Sequence, residues 1–171
     1  MGKGYIHVYT GNGKGKTTAA LGLSIRAICA GKKVFFGQFI KGMDYSELKI
    51  DKYLTNITIE QFGRDCFIYN EPTNEDIALA REGLEKCGKI LQEGEYDIVV
   101  LDELNIAIYY RLFTSKEVIE ILQERAPHVE VIITGRYAEE SIIEFADLVT
   151  EMKEIKHYYN NGVEARKGIE C

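Results

Sequence analysis

Two rhythms of apolar and polar residues take turns along this chain. Residues 5–9 are β-branched and aromatic with no turn former, which predicts a first strand. Over residues 16–30, Ala20, Leu21, Leu23, Ile25, Ala27 and Ile28 predict a helix apolar nearly all round. Such a helix is expected between layers rather than on the surface, and Gly31 is its natural stop. Residues 33–40 and 57–62 read as the second and third strands. Thr73, with Asp76 three residues on, reads as a cap after Pro72, and Ile77, Ala80, Leu84, Cys87 and Leu91 then recur at helical spacing to near Glu93. Ile98-Val99-Val100-Leu101 is a continuous apolar run, as a central parallel strand covered on both faces requires. Thr114 and Glu117 form a second capping pair for a helix through Arg125, ended by Pro127. Residues 129–134 read as another buried strand, and a short helix over 138–146 leads to Leu148-Val149.

Strands and helices alternate throughout. The fold class is therefore α/β: three layers, with a mostly parallel sheet and helices on both faces. The 171 residues suit one domain, 1–171, with a substantial core. Hydrophobic residues make up 46% and charged ones 28%, which is ordinary globular composition. A net charge of −6, from 21 basic and 27 acidic side chains, argues against nucleic acid as the main partner. With no 18-residue apolar run and no charged-then-apolar leader, the expectation is a soluble cytoplasmic protein with no membrane partner. Cys29, Cys66, Cys87 and Cys171 are too scattered for a zinc site, and are expected as free thiols, two of them in helix cores. His7, His128 and His157 show no metal-ligand spacing either.

The most specific chemistry lies between the first strand and the first helix. Thr10-Gly11-Asn12-Gly13-Lys14-Gly15-Lys16-Thr17-Thr18 has the grammar of a triphosphate-binding loop. Glycines let the backbone curl so that several N–H groups face one anion; the helix adds its positive end and Lys16 a full charge. The Thr17 hydroxyl is placed to ligate a magnesium ion bridging the phosphates. One departure stands out. In the usual G-x-x-x-x-G-K-[ST] spacing the first glycine would fall at Thr10, but it comes one place later at Gly11, with Gly13 and Lys14 added inside.

Asp102-Glu103 follows the apolar run of residues 98–101, where a carboxylate beside a phosphate loop can hold magnesium directly or through water. Spacing does not say which of the two touches the ion. Arg136 follows Thr134-Gly135 at a strand end, where ligands of open α/β sheets gather. Arg26 interrupts an apolar helix and reads equally well as a cation for the nucleotide or as a surface residue.

These residues yield a P-loop NTPase-like nucleotide protein without saying which bond breaks. The residues from Val8 to Ala20, the string Gly37-Gln38-Phe39-Ile40-Lys41-Gly42, and Val100-Leu101-Asp102-Glu103-Leu104 resemble the P-loop type of ATP:corrinoid adenosyltransferase. Ile133-Thr134-Gly135-Arg136, the run from Ala146 to Glu151, Lys156-His157 and the closing segment from Gly162 to Glu170 carry the same likeness. The shifted Gly11 is that family's own form. The resemblance implies that Co(I) of a corrinoid attacks the 5′ carbon of ATP and expels inorganic triphosphate. Gly11, Asn12, Gly13, Lys14, Gly15, Lys16, Thr17 and Thr18 would hold triphosphate, Arg26 and Arg136 would contact the nucleotide, and Thr17 with Asp102 or Glu103 would hold Mg2+. No side-chain nucleophile is needed, since cobalt supplies it.

The family also places an aromatic pair beside the corrinoid, where it helps displace a lower cobalt ligand. Phe67 matches that pair, while Tyr69 stands where the family has tryptophan. Several members carry an N-terminal helix over the corrinoid; here the first strand starts almost at Met1, so the loop after Gly42 or a second subunit is expected to cover it. The resemblance further implies a homodimer and a reductase or flavin electron donor that delivers Co(I). The alternatives are a phosphotransferase or nucleotide hydrolase releasing ADP, and a nucleotide-binding module without turnover.

Overall fold

The structure is a computed structural model and describes residues 2–65 and 71–170. Six strands form its sheet: β1 (Ile6–Thr10), β2 (Val34–Phe39), β3 (Ile57–Phe62), β4 (Ile98–Asp102), β5 (Glu130–Thr134) and β6 (Leu148–Glu151). Their order is β3-β2-β4-β5-β1-β6, and every pair is parallel. The expected mostly parallel sheet is thus wholly parallel among the described residues. All six strands end at one edge, and the register sets Gln38 opposite Asp102 and Tyr9 opposite Thr134 there.

Among the described residues, five α-helices cover the sheet: α1 (Lys16–Cys29), α2 (Asn74–Glu93), α3 (Leu104–Tyr109), α4 (Ser115–Gln123) and α5 (Glu140–Phe145). One face meets α2 to α5 through Val8, Phe35, Val99, Leu101, Val131 and Ile133. The other meets α1 and a 3-10 segment at Ser46–Lys52 through Val34, Phe36, Ile98, Val100 and Ile132. Alternate residues of β4 feed the two cores, which explains why its sequence shows no polar face.

Both capping pairs form as expected. Thr73 accepts from the Asp76 amide while Asp76 accepts from Thr73, and Thr114 and Glu117 do the same. Arg64 grips Asp76 with two hydrogen bonds at 2.7 and 2.8 Å, and its guanidinium holds the Asp76 carboxyl at about 2. Within α2, Gly83 lies against Phe62 so closely that an added Cβ would sit 2.4 Å from the ring.

Some expectations need correction. Helix α1 is not sandwiched: only Lys16, Ala20, Ser24 and Ala27 are buried, while Ile25 is exposed, because α1 and the 3-10 segment alone cover that face. Helix α4 stops at Gln123, two residues short of Arg125. Cys87 is buried in α2, where burial pushes its thiol pKa up, but Cys29 is exposed. Cys66 and Cys171 lie outside the described residues.

Candidate active site

Strand β1 delivers the chain to the carboxyl edge, and the backbone turns at once. Gly11 has φ 94° and Gly15 φ 118°, both in the region that favours glycine. A Cβ on Gly11 would stand 2.5 Å from the Met152 carbonyl oxygen, and one on Gly13 would stand 2.7 Å from it. The loop is therefore walled by the main chain leaving β6. Two bonds fasten it there: Gly13 N–H donates to Met152 O at 2.6 Å, and Met152 N–H donates to Thr10 O at 2.8 Å. That wall accounts for the glycine at 11 instead of 10, since Thr10 is still strand and paired with Glu151.

Past Gly13 the amides are free. The N–H groups of residues 14–18 donate to no group among the described residues, as at the start of any helix whose first donors await a partner. They share an opening with the buried Lys16, whose ammonium donates to the Gly11 and Gly13 carbonyls at 2.8 and 2.7 Å. Burial holds the Lys16 pKa below the ordinary lysine value. Lys14 is exposed and donates to the Ile169 carbonyl at 3.1 Å, tying the C-terminal segment to the loop.

Across the opening, Asp102 is fully buried at the end of β4 and held from both sides. Thr17 and Thr134 donate to its Oδ1 at 2.8 and 2.7 Å; Lys41 donates to its Oδ2 at 2.8 Å, with Gln38 at 3.4 Å. Burial alone would lower the Lys41 pKa, but the Asp102 charge and hydrogen bond, with Glu103 and Glu47, outweigh it and raise the value. Glu103 takes the left-handed conformation, φ 58°, and turns the chain into α3. Its amide donates to Thr134 Oγ1 at 3.0 Å, while its carboxylate has no hydrogen bond or ion pair among the described residues. Burial and the adjacent Asp102 push the Glu103 pKa up, against Lys41, Lys16 and Arg136.

Lys41 arrives by a strained route. Ile40, a β-branched residue, has φ 61°, a conformation that costs about 1–3 kcal/mol. The segments on either side touch main chain to main chain: a Cβ on Gly42 would lie 2.3 Å from the Arg64 carbonyl carbon, and one on Gly63 would lie 2.6 Å from that of Ile40. Together these elements enclose a cavity of about 770 Å3, lined by the loop, Lys41, Glu47, Glu103, Arg136 and, from the C-terminal segment, Ile169. A cleft of this size takes a nucleotide-sized ligand.

A family model described as ATP:corrinoid adenosyltransferase BtuR/CobO/CobP matches residues 2–171. The chain belongs to this family. A corrinoid adenosyltransferase of Sinorhizobium sp is 38% identical to it over 98% of this chain and 80% of that protein. The corrinoid adenosyltransferase of Escherichia coli K12 is 38% identical over 98% of this chain and 86% of its own length. The corrinoid adenosyltransferase CobA of Salmonella typhimurium is 36% identical with the same coverage.

In this family member the sequence-predicted residues divide cleanly. Gly13, Lys14, Gly15, Lys16, Thr17, Thr18, Glu103 and Arg136 line one cavity, with Asp102 in the wall behind Thr17. Gly11 and Asn12 shape the loop just outside it, and Asn12 lines a neighbouring cleft with Arg136. Arg26 is not brought there. It lies in the last turn of α1, ten residues and about 15 Å of helix rise beyond Lys16, and lines a separate cavity of about 430 Å3 with His7 and Glu130. Within one chain it cannot reach a nucleotide held by the loop. Phe67 and Tyr69 lie outside the described residues. Three residues escaped the reading of the chain by spacing: strand register brings Gln38 and Thr134 to Asp102, Lys41 reaches it from the left-handed turn after β2, and only the strings that resemble the family marked them.

No helix among the described residues is long and apolar enough to cross a membrane. No cluster of three or more His, Cys, Asp or Glu side chains fit to hold a metal occurs among them either. The oxygen donors that do converge, the Thr17 hydroxyl and the Asp102 and Glu103 carboxylates, are too few to cage an ion by themselves. They fit Mg2+, a hard cation that keeps waters and shares phosphate oxygens.

Proposed function

We propose that this protein transfers the 5′-deoxyadenosyl group of ATP to the Co(I) centre of a corrinoid, releasing inorganic triphosphate, in adenosylcobalamin biosynthesis or salvage. The observation that carries the reading is the set of unpartnered amides over residues 14–18 around buried Lys16, in a chain matched along its length by the family. The cobalt electron pair forms the bond to the 5′ carbon, the carbon–oxygen pair departs with triphosphate, and cobalt ends as Co(III). Negative charge grows on the leaving oxygen, so amides and cations already aimed at it favour the transition state over the bound substrate. The loop and Arg136 orient the nucleotide, and the protein supplies no nucleophile of its own.

Mg2+ would be held by Thr17 and by Asp102 or Glu103, and supplies further neutralisation of the triphosphate. Glu103 is favoured as the direct ligand, because the Asp102 oxygens already accept four hydrogen bonds. Phe67 and Tyr69 are assigned to the corrinoid by the family likeness. We place the protein in the cytoplasm as a homodimer, supplied with Co(I) by a reductase or a reduced flavin.

The decisive experiment incubates the protein with ATP, Mg2+ and a chemically reduced corrinoid. Inorganic triphosphate and the light-sensitive spectrum of an alkylated cobalt are expected in equal amounts. Orthophosphate with ADP would establish a hydrolase or phosphotransferase instead, and ATP binding without consumption would establish a binding module.

A further inference from the structure

Lys41 belongs to none of the roles assigned so far, yet it occupies the wall of the nucleotide cavity beside Thr17. Its ammonium bonds one oxygen of Asp102 while Thr17 bonds the other. It stands 3.9 Å from Glu47 and 5.1 Å over the Tyr45 ring, so it is flanked on the cavity side by one further carboxylate and one aromatic face. Unlike Asp102, which has no exposed surface, the Lys41 side chain keeps 15% of its own, and that surface opens on the cavity.

A buried ion pair is weak support for stability, because desolvating both charges offsets most of their attraction. The pair here is also reached through unfavourable backbone. Ile40 is held in the left-handed region, and glycines 42 and 63 are fitted against opposing main chain where no Cβ has room. Strain of that kind persists where the surroundings impose it, and it gathers at ligand clamps. Its result is an ammonium aimed at the place where the phosphate loop, Thr17 and Glu103 meet.

Charge complementarity points the same way. Each phosphoryl group of a triphosphate carries negative charge, and the cleavage step adds more. Lys14, Lys16 and Arg136 face that charge, but Glu47, Glu103 and Glu170 line the same cavity and Asp102 stands behind it. Arg166 holds Glu170, and a fourth cation, Lys41, offsets one more of these carboxylates, which favours anion binding. A flexible four-carbon stem lets a lysine exchange one oxygen partner for another nearby without moving the backbone.

We propose that Lys41 is a phosphate-contacting residue of the adenosyl-transfer site: on nucleotide binding its ammonium leaves Asp102 for a phosphoryl oxygen, and it holds the triphosphate as the carbon–oxygen bond breaks. The inference rests on the phosphate reading of the loop given above. The contrary view is that Lys41 is only the counter-ion that keeps Asp102 in place.

Inorganic triphosphate, the expected product, is the probe that separates them. It is titrated calorimetrically into the purified protein in the presence of a metal chelator. Lys41→Met should weaken binding at least tenfold, and Lys41→Arg should bring it back to within about threefold of the parent protein. Lys41→Met leaves Asp102 buried and unpaired, so the comparison is repeated in an Asp102→Asn background, where no orphaned charge remains to disturb folding. A phosphate-contacting lysine still loses at least tenfold there. A mere counter-ion loses nothing, and that result overturns the inference. Lys16→Ala is the parallel control: if it binds triphosphate as tightly as the parent, or if the parent binds none even when Mg2+ replaces the chelator, the phosphate reading itself falls. If Lys16→Ala loses binding while the Asp102→Asn pair of proteins is indistinguishable, only the role of Lys41 falls.

Discussion

Lys16 bends its ammonium back onto two carbonyls of its own loop, so it shapes the loop as well as charging it. Lys16→Ala should therefore lower triphosphate release by about 10²-fold or more, the usual effect of removing one preorganised stabilising donor. Loss of two hydrogen bonds should reduce folding stability by only about 1–3 kcal/mol, leaving a cooperative thermal melt. Steady-state product assays and calorimetric melts check both halves. Asp76 makes a pH-dependent counterpart at the start of α2. Its carboxyl lies at about 2 when folded against an ordinary 3.8, so the ionised form favours the folded state. That contribution is complete above the ordinary value and disappears as pH falls through about 2. Asp76→Asn should destabilise the protein by about 1–3 kcal/mol at neutral pH by weakening the bonds its carboxylate accepts from Arg64 and from Thr73 at the cap. Urea titrations from pH 7 downward should show the gap between the two proteins closing between about pH 4 and pH 2. At this scale the loop was legible in the sequence, because glycine freedom, a lysine and a hydroxyl are local requirements. Lys41, Gln38 and Thr134 were not, because strand register brings Gln38 and Thr134 to Asp102 and the left-handed turn at Ile40 brings Lys41. For Arg26 the structure favours the second of its two readings, an exposed residue in the last turn of α1, since its charge is visible in the sequence and its place along the helix is what parts it from the loop.

Among the elements, α2 and α4 could be read from sequence because capping boxes mark their starts and an apolar period of helical length follows. Helix α3 left no such mark. Its cap is Glu103 in the left-handed conformation, which has no side-chain signature, and its six residues are too few for a period to emerge. The apolar run of α1 overstated its burial, since residues 21–28 hold more apolar surface than one sheet face can take up. Packing of α2 on β3 depends on Gly83 for a reason no helix propensity contains. In an exposed helix Gly→Ala stabilises by about 1 kcal/mol, but here the methyl would meet Phe62 at 2.4 Å. Gly83→Ala should instead destabilise by about 1–3 kcal/mol through overpacking, and Phe62→Leu in the same chain should recover part of the loss. Denaturant midpoints of the parent, single and double variants measure the coupling directly.

For the whole molecule, parallel order decides where stability and chemistry reside. β4 and β5 are flanked by strands on both sides and covered on both faces, whereas β6 is a four-residue edge strand exposed along its length. Native-state hydrogen exchange should find the slowest amides in β4 and β5 and markedly faster ones in β6, with ATP slowing β6 and residues 11–18 together. Equal protection of β4 and β6 would contradict this ordering of local stability. Joint slowing is expected because Met152, just beyond β6, bonds both Gly13 and Thr10. That fastening limits what protein engineers could transplant. A peptide spanning residues 8–20, grafted onto the strand–helix junction of another scaffold, would carry its glycines but leave behind the carbonyl wall that curbs them. The graft would sample many shapes and grip anions poorly until the donor's final strand travelled with it.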